Sequence, residues 1–79
     1  MDSRKLVGRN LVRIRRKRGI SQEALAHISG FSRQYLSGIE GGRRNPTVHV
    51  LDILAEALEV TPVDLLKPDR RSGSHSEPV

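Results

Sequence analysis

Between Ser32 and Asn45 the chain gathers side chains suited to gripping a polyanion and reading its bases: Ser32, Arg33, Gln34, Tyr35 and Ser37, then Arg43, Arg44 and Asn45. Arg33 can donate two hydrogen bonds to one guanine edge, and Gln34 can make two with adenine. Each good pair discriminates against the wrong base by about 1–3 kcal/mol. Arg33 can equally serve as a phosphate contact or a solvated helix residue, and Ser37 can reach either a base or a phosphate. Ser32, Tyr35, Arg43, Arg44 and Asn45 offer hydroxyl, guanidinium and amide groups of the kind that bind phosphate oxygens. Tyr35, the one tyrosine, is expected to be half-buried, with its ring on the core and its hydroxyl outward.

Other chemistries lack their parts. His27, His49 and His75 lie 22 and 26 residues apart, which is no metal-ligand spacing, and there is no cysteine. Serines and acids are present, but none is set in a nucleophile turn. Gly41–Gly42 lacks the pattern of a phosphate-binding glycine loop. No catalytic residue, metal, cofactor or small-molecule ligand is therefore expected. No apolar run approaches the roughly 18 residues of a membrane span, and no export signal is visible. These features suggest a cytoplasmic protein with no membrane partner.

The elements that must hold the polar cluster are helices. Val7, Leu11 and Ile14 form a helical stripe, and Leu6 flanks it, in a first helix near 4–18 that Gly19 should end. Arg13, Arg15, Arg16, Lys17 and Arg18 dominate its polar side and suit the negative end of the helix dipole. Ile20 should close the core at the turn. Ser21 caps a second helix, 22–29, and Gly30 stops it in a left-handed conformation. Ser32 caps a third, about 33–40, and Gly41 and Gly42 end it before the basic loop. Small Ala26 and Gly30 would let the second and third helices cross closely, with Leu25, Leu36 and Ile39 as their apolar contacts. Thr47 caps a fourth helix, about 48–58, with Val48, Leu51, Leu54, Ala55 and Leu58 on one face and Val50, Ile53 and Ala57 on a second. Thr61 caps a fifth, 62–66, with Pro62 at its first position. A polar tail follows from residue 68 and is expected to be disordered.

Seventy-nine residues make one domain, here 1–67, with a modest core of aliphatic residues. The net charge is +5, but it is unevenly spread. Eleven of the fourteen Lys and Arg precede residue 47, against Asp2, Glu23 and Glu40, whereas the remainder is mildly acidic. Such a division gives one face for phosphates and another for a different contact. A merely solubilising surface is the plain alternative, and the helix pair tips the choice toward nucleic acid.

The quoted residues resemble a known family. V-G-x-x-L-x-x-I-R-x-x-R-G-I-S-Q-E-A-L-A, then S-R-Q-Y-L-S-G-I-E-G-G-R-R-N-P-T, then L-x-x-L-A-x-A-L-E-V match the Cro and phage-repressor type of helix-turn-helix, the Xre-like group of small bacterial and phage regulators. SRQYLSGIE followed by RRNPT resembles more narrowly the controller proteins of restriction–modification systems. The resemblance implies an all-α, five-helix, lambda-repressor-like domain in which the third helix enters the major groove. It also implies a phosphate contact at Gln22, where an amide side chain and free backbone N–H groups open a helix. Arg15 and Glu40 would form an ion pair that orients the third helix without touching DNA. Gly38 departs from relatives that carry a longer polar side chain there.

These features predict a sequence-specific regulator that binds double-stranded DNA as a homodimer, with operator half-sites about 34 Å apart. Dimer contacts are expected from Val50, Ile53, Ala57, Val60, Pro62, Val63 and Leu66, although some of these can instead seal the fourth and fifth helices onto the core, as Leu65 should. An antitoxin-like module that binds another protein is the rival, weakened by a tail whose one apolar residue is Val79. RNA binding is disfavoured by the scarcity of aromatics for base stacking.

Overall fold

Every helix starts on a side-chain oxygen that accepts a backbone N–H from the first turn: Asp2, Ser21, Ser32, Thr47 and Thr61. They open α1 (Ser3–Lys17), α2 (Gln22–Ser29), α3 (Arg33–Glu40), α4 (Val48–Leu58) and α5 (Pro62–Leu66) in a computed structural model that describes residues 2–68. Among the described residues there is no strand, as the helical spacing predicted. The tail expected to be disordered from residue 68, and His75 with it, lies outside the described residues apart from Pro68 itself.

The helices also stop as their residues dictate. Gly19, at φ +70°, lets its own N–H reach Arg16 and that of Ile20 reach Arg15, so α1 ends in two orphan carbonyls satisfied. Gly42, at φ +75°, does the same for α3 through Ile39 and Gly38. Helix α4 ends with the same pair of bonds, to Glu56 and Ala55, but Glu59 occupies the left-handed position at φ +60°. That conformation costs an L-residue about 1–2 kcal/mol. Arg18 holds it in place, donating to the Glu59 carboxylate at 3.3 Å and to its carbonyl at 3.2 Å. Helix α5 is short but closes a full capping box between Thr61 and Asp64 that the sequence reading did not include.

One core joins all five helices. Leu11, Leu25, Leu36, Ile39, Leu54, Leu58 and Leu65 are fully buried, with Val7, Ile14, Leu51 and Ala55 around them. Leu6 is buried as well, and Ile20 packs against the core at the turn. Val48 departs from the expected apolar face of α4. It is 75% exposed, because the first residue of the helix projects past the end of the core. Two contacts that periodicity cannot express bring α1 to its neighbours. At Gly8 an added Cβ would lie 2.5 Å from the Ile39 carbonyl and 2.6 Å from that of Glu40, so α1 and α3 touch backbone to backbone. Asn10, fully buried on α1, donates to the carbonyls of Leu65 and Lys67 and so ties down the C-terminal end of α5.

Candidate nucleic-acid interface

The α2–α3 pair is built on one left-handed residue. Gly30 sits at φ +82°, where only glycine is unstrained, and its N–H bonds Ala26 O as α2 ends. An added Cβ there would meet nothing within 4 Å, so Gly30 acts through backbone conformation rather than through the close helix approach expected of it. Ala26 does pack against the core, beside Leu25.

Helix α3 then divides cleanly. Leu36 and Ile39 are fully buried on one side, while Arg33, Gln34 and Ser37 are exposed on the other. Ser32 lies exposed at the start of the helix with its hydroxyl accepting the Tyr35 N–H. Tyr35 is half-buried against the core, as its amphipathic ring suggested, and its ring lies 5.1 Å from that of Phe31. The three candidate base readers thus share a rigid outer face, a geometry that a major groove can admit.

The far end of α3 is locked by charge. Arg15 donates through Nε to Glu40 Oε2 at 2.8 Å and through Nη2 to Glu40 Oε1 at 3.2 Å, and both side chains are about 10% exposed. Its remaining Nη1 donates to Ile20 O at 3.0 Å. The same Glu40 Oε1 also accepts the Gln22 amide at 3.1 Å, so one carboxylate joins the end of α1, the start of α2 and the end of α3. The pair expected from resemblance is therefore present, and Gln22 belongs to it. Residues 22 and 40 are too far apart in sequence for spacing to have disclosed that bond.

The basic loop folds back on α3. Arg43 donates from Nη2 to Ser37 O at 3.3 Å, and the Arg44 guanidinium lies 5.3 Å from the Tyr35 ring centroid. Arg43, Arg44 and Asn45 are all exposed. Lys5 of α1 runs along this loop, with its Cγ 2.9 Å from where a Cβ on Gly42 would stand. Lys5 thus extends the basic surface, a placement that only tertiary contact reveals. Two other α1 cations are internally engaged. Arg13 donates to Asn10 at 3.0 Å, and Arg18 pairs with Glu59.

A helix-turn-helix family model matches residues 11–65. The chain belongs to the helix-turn-helix (HTH_3) family. It is 57% identical over 68 residues to an uncharacterized HTH-type transcriptional regulator, y4dJ, of Sinorhizobium fredii, spanning 86% of this chain and 88% of that protein. To the control protein C.SmaI of Serratia marcescens it is 39% identical over 66 residues, 84% of this chain and 79% of the other. Among solved structures, the restriction–modification controller protein C.AhdI of Aeromonas hydrophila superposes with a TM-score of 0.78 at 37% identity, covering 82% of this chain and 98% of that one. The controller protein C.Esp1396I, solved as a tetramer in complex with its natural 35 base-pair operator, gives 0.74 at 33% identity over 85% of this chain and 99% of the other. This helix-turn-helix chain thus resembles the controller proteins at the level of sequence and of fold.

Its second surface lies on α4 and α5. Val50, Ala57 and Val60 are half-buried against the core, and Ile53 and Pro62 are half-buried too. Val63 and Leu66 are 59% and 45% exposed, whereas Leu65 is fully buried. Ile28 of α2 joins them. It is 56% exposed and borders a cleft with Ile53 and Ala57. No spacing in α2 marks it, because its neighbours come from α4. Among the described residues, no group of histidine, cysteine or acids could hold a metal, and no helix is long and apolar enough to cross a membrane.

Proposed function

We propose that the chain is a transcriptional regulator that binds a two-fold related operator in double-stranded DNA as a homodimer. The observation that carries this reading is the outer face of α3, where Arg33, Gln34 and Ser37 stand exposed on a helix whose opposite face is fully buried. One α3 per subunit enters the major groove, with Arg33 and Gln34 on base edges and Ser37 on a base or phosphate. Ser32, Tyr35, Arg43 and Asn45 hold phosphates on either side, with the loop residue Arg44 among them, and the backbone N–H groups that open α2 at Gln22 face a further phosphate. The Arg15–Glu40 pair and its Gln22 branch fix the angle of α3 without touching the duplex.

Pairing of the α4–α5 surfaces, through Ile53, Val63, Leu66 and the half-buried Val50, Ala57, Val60 and Pro62, sets the two recognition helices apart. The similarity to controller proteins, one of them solved on its operator as a tetramer, supports this arrangement and supports assemblies larger than a dimer on adjacent sites. The reading makes the chain a non-enzymatic, cytoplasmic protein. The test is selection of bound duplexes from a random pool. The expected winners carry two inverted half-sites with centres about 34 Å apart. Recovery of sequences with no shared half-site would overturn the proposal.

A further inference from the structure

Helix α5 carries part of the proposed pairing surface, yet it has little of its own to hold it in place. Its five residues are too few for a helix to stand alone in water. Its start is tied to itself by the Thr61–Asp64 capping box, and Leu65 anchors its middle in the core. Its end is held by another helix. Asn10 of α1, fully buried, donates from Nδ2 to Leu65 O at 2.9 Å and to Lys67 O at 2.6 Å. Both carbonyls lie at the helix end, where helical N–H groups run out. They bracket Leu66, whose apolar side chain is exposed, and the Lys67 N–H in turn bonds the carbonyl of exposed Val63. The amide is itself held one way round. Arg13 Nη2, which can only donate, meets Asn10 Oδ1 at 3.0 Å, so the amide nitrogen faces the two carbonyls. Two residues earlier, Gly8 lets the same helix lie backbone to backbone against the end of α3. Helix α1 packs chiefly on α3 and α5, so it joins the reading helix to the pairing helix.

We propose that Asn10 is a positioning residue for operator spacing: by gripping the end of α5 from α1, it fixes how far apart the two recognition helices stand. The inference rests on the homodimer reading given above and deepens it. A buried amide is weak as general glue, because its hydrogen bonds largely replace those it would make with water. A leucine of similar size would fill the space without that exchange. What the amide adds is direction. Hydrogen bonds to two fixed carbonyls admit one placement of α5, whereas apolar contact alone lets a short helix slide or roll. The error so prevented is magnified on DNA. One base pair shifts a half-site by about 3.4 Å along the duplex and turns it by roughly a tenth of a turn. A movement of α5 at a two-fold interface acts twice, once for each subunit. Val63 and Leu66 therefore need a fixed seat, and Asn10 supplies the orientation that the core contact of Leu65 does not.

The test places the selected half-sites at their preferred separation and at one base pair closer or farther, with a duplex carrying a single half-site as reference. The unaltered chain, N10L and N10D are titrated on each, and melting temperature and sedimentation are recorded beside them. N10L leaves the carbonyls of Leu65 and Lys67 unpaired, and N10D sets a carboxylate against them. Both should weaken dimerisation by roughly 5- to 100-fold. Both should also shrink the ratio of affinities between preferred and altered spacings by about fivefold or more. Affinity for the single half-site, per folded chain, should stay as it was. A residue that merely stabilises the core would lower the folded fraction on all duplexes alike and leave that ratio untouched. A folded N10L that keeps the native ratio would therefore overturn the proposal, whatever its melting temperature. Should neither variant fold, Arg13→Ala decides, because it frees the Asn10 amide to turn. It is expected to shrink the same ratio, and an unchanged ratio would overturn the proposal. If the unaltered chain itself prefers no spacing, the homodimer reading fails and takes the role of Asn10 with it. A preference present in the unaltered chain and kept in N10L removes the role of Asn10 alone.

Discussion

Helices α3 and α4 each bury one face completely, yet what they leave outside is opposite. Outside α3 stand Arg33, Gln34 and Ser37 with the arginines of the loop, and a carboxylate network locks its far end to α1 and α2. Outside α4 lie half-buried Val50, Ile53 and Ala57, continued by exposed Val63 and Leu66 of α5. The first surface can satisfy a polyanion and would be wasted on an apolar partner. The second gains only by excluding water. A single small core thus carries two surfaces with different physics, and perturbing one should leave the other recognisable.

Salt makes the widest separation between them. Phosphate binding releases counterions, so operator affinity should fall by about 10³–10⁵ between roughly 50 and 200 mM salt if some 6–10 phosphates are engaged. The dimerisation constant of the free chain, read by sedimentation, should barely move over that range. Operator affinity indifferent to salt would take the basic loop out of the contact. Next in size is the lock on α3. Glu40→Ala leaves Arg15 buried without its partner and should cost about 3–5 kcal/mol of stability. Chemical denaturation measures this, and a loss below about 1 kcal/mol would show the pair to be idle.

Ile53→Asp attacks the other surface. Two-fold pairing sets the new charge against its own copy, at a cost of several kcal/mol. Monomers should then appear by sedimentation with helical content kept, whereas persistent dimers would move the interface elsewhere. A smaller and more local effect is expected from Arg33→Ala. It should relax preference at one guanine by about 1–3 kcal/mol, and uniform weakening on all duplexes would reassign Arg33 to the backbone.

The least effect comes from acid. Asp64 is held below its ordinary value of 3.8, first by the Thr61 N–H and then by Lys67 and the Thr61 hydroxyl. Asp2 is lowered in the same way, chiefly by the N–H of Arg4. A carboxylate with a depressed folded pKa stabilises above its unfolded value, and that contribution is lost as pH falls through the folded one. Stability should therefore be insensitive to these caps near neutrality and begin to fall only as pH drops through the ordinary carboxylate range. Loss of the α5 cap already at pH 6, seen as faster amide exchange at Asp64, would contradict this.

Much of the frame that positions the candidate interface was legible in the sequence. Ser21, Ser32, Thr47 and Thr61 announce helix starts because their hydroxyls satisfy local N–H groups, and Gly19, Gly30 and Gly42 announce ends because their φ is positive. Both are short-range effects. Arg33, Gln34 and Ser37 could be placed on an outer face from the burial of Leu36 and Ile39 alone. Asn10, Gly8, Lys5, Ile28 and the Gln22–Glu40 bond were invisible. Each matters through an atom from a distant part of the chain, and nothing in its own neighbours along the sequence records that encounter.

Taken alone, the order of residues determined the five helices, their caps, the aliphatic core and the separation of basic from apolar surface, because these follow from backbone geometry and periodicity within a few turns. The tertiary structure alone decided that Gln22 joins the Arg15–Glu40 pair, that Asn10 holds the end of α5, and that Arg44 lies over Gly38. Those contacts join groups between 6 and 57 positions apart. Their strength depends on distances of about 3 Å that only the packing of the helices and of the loop after α3 brings about.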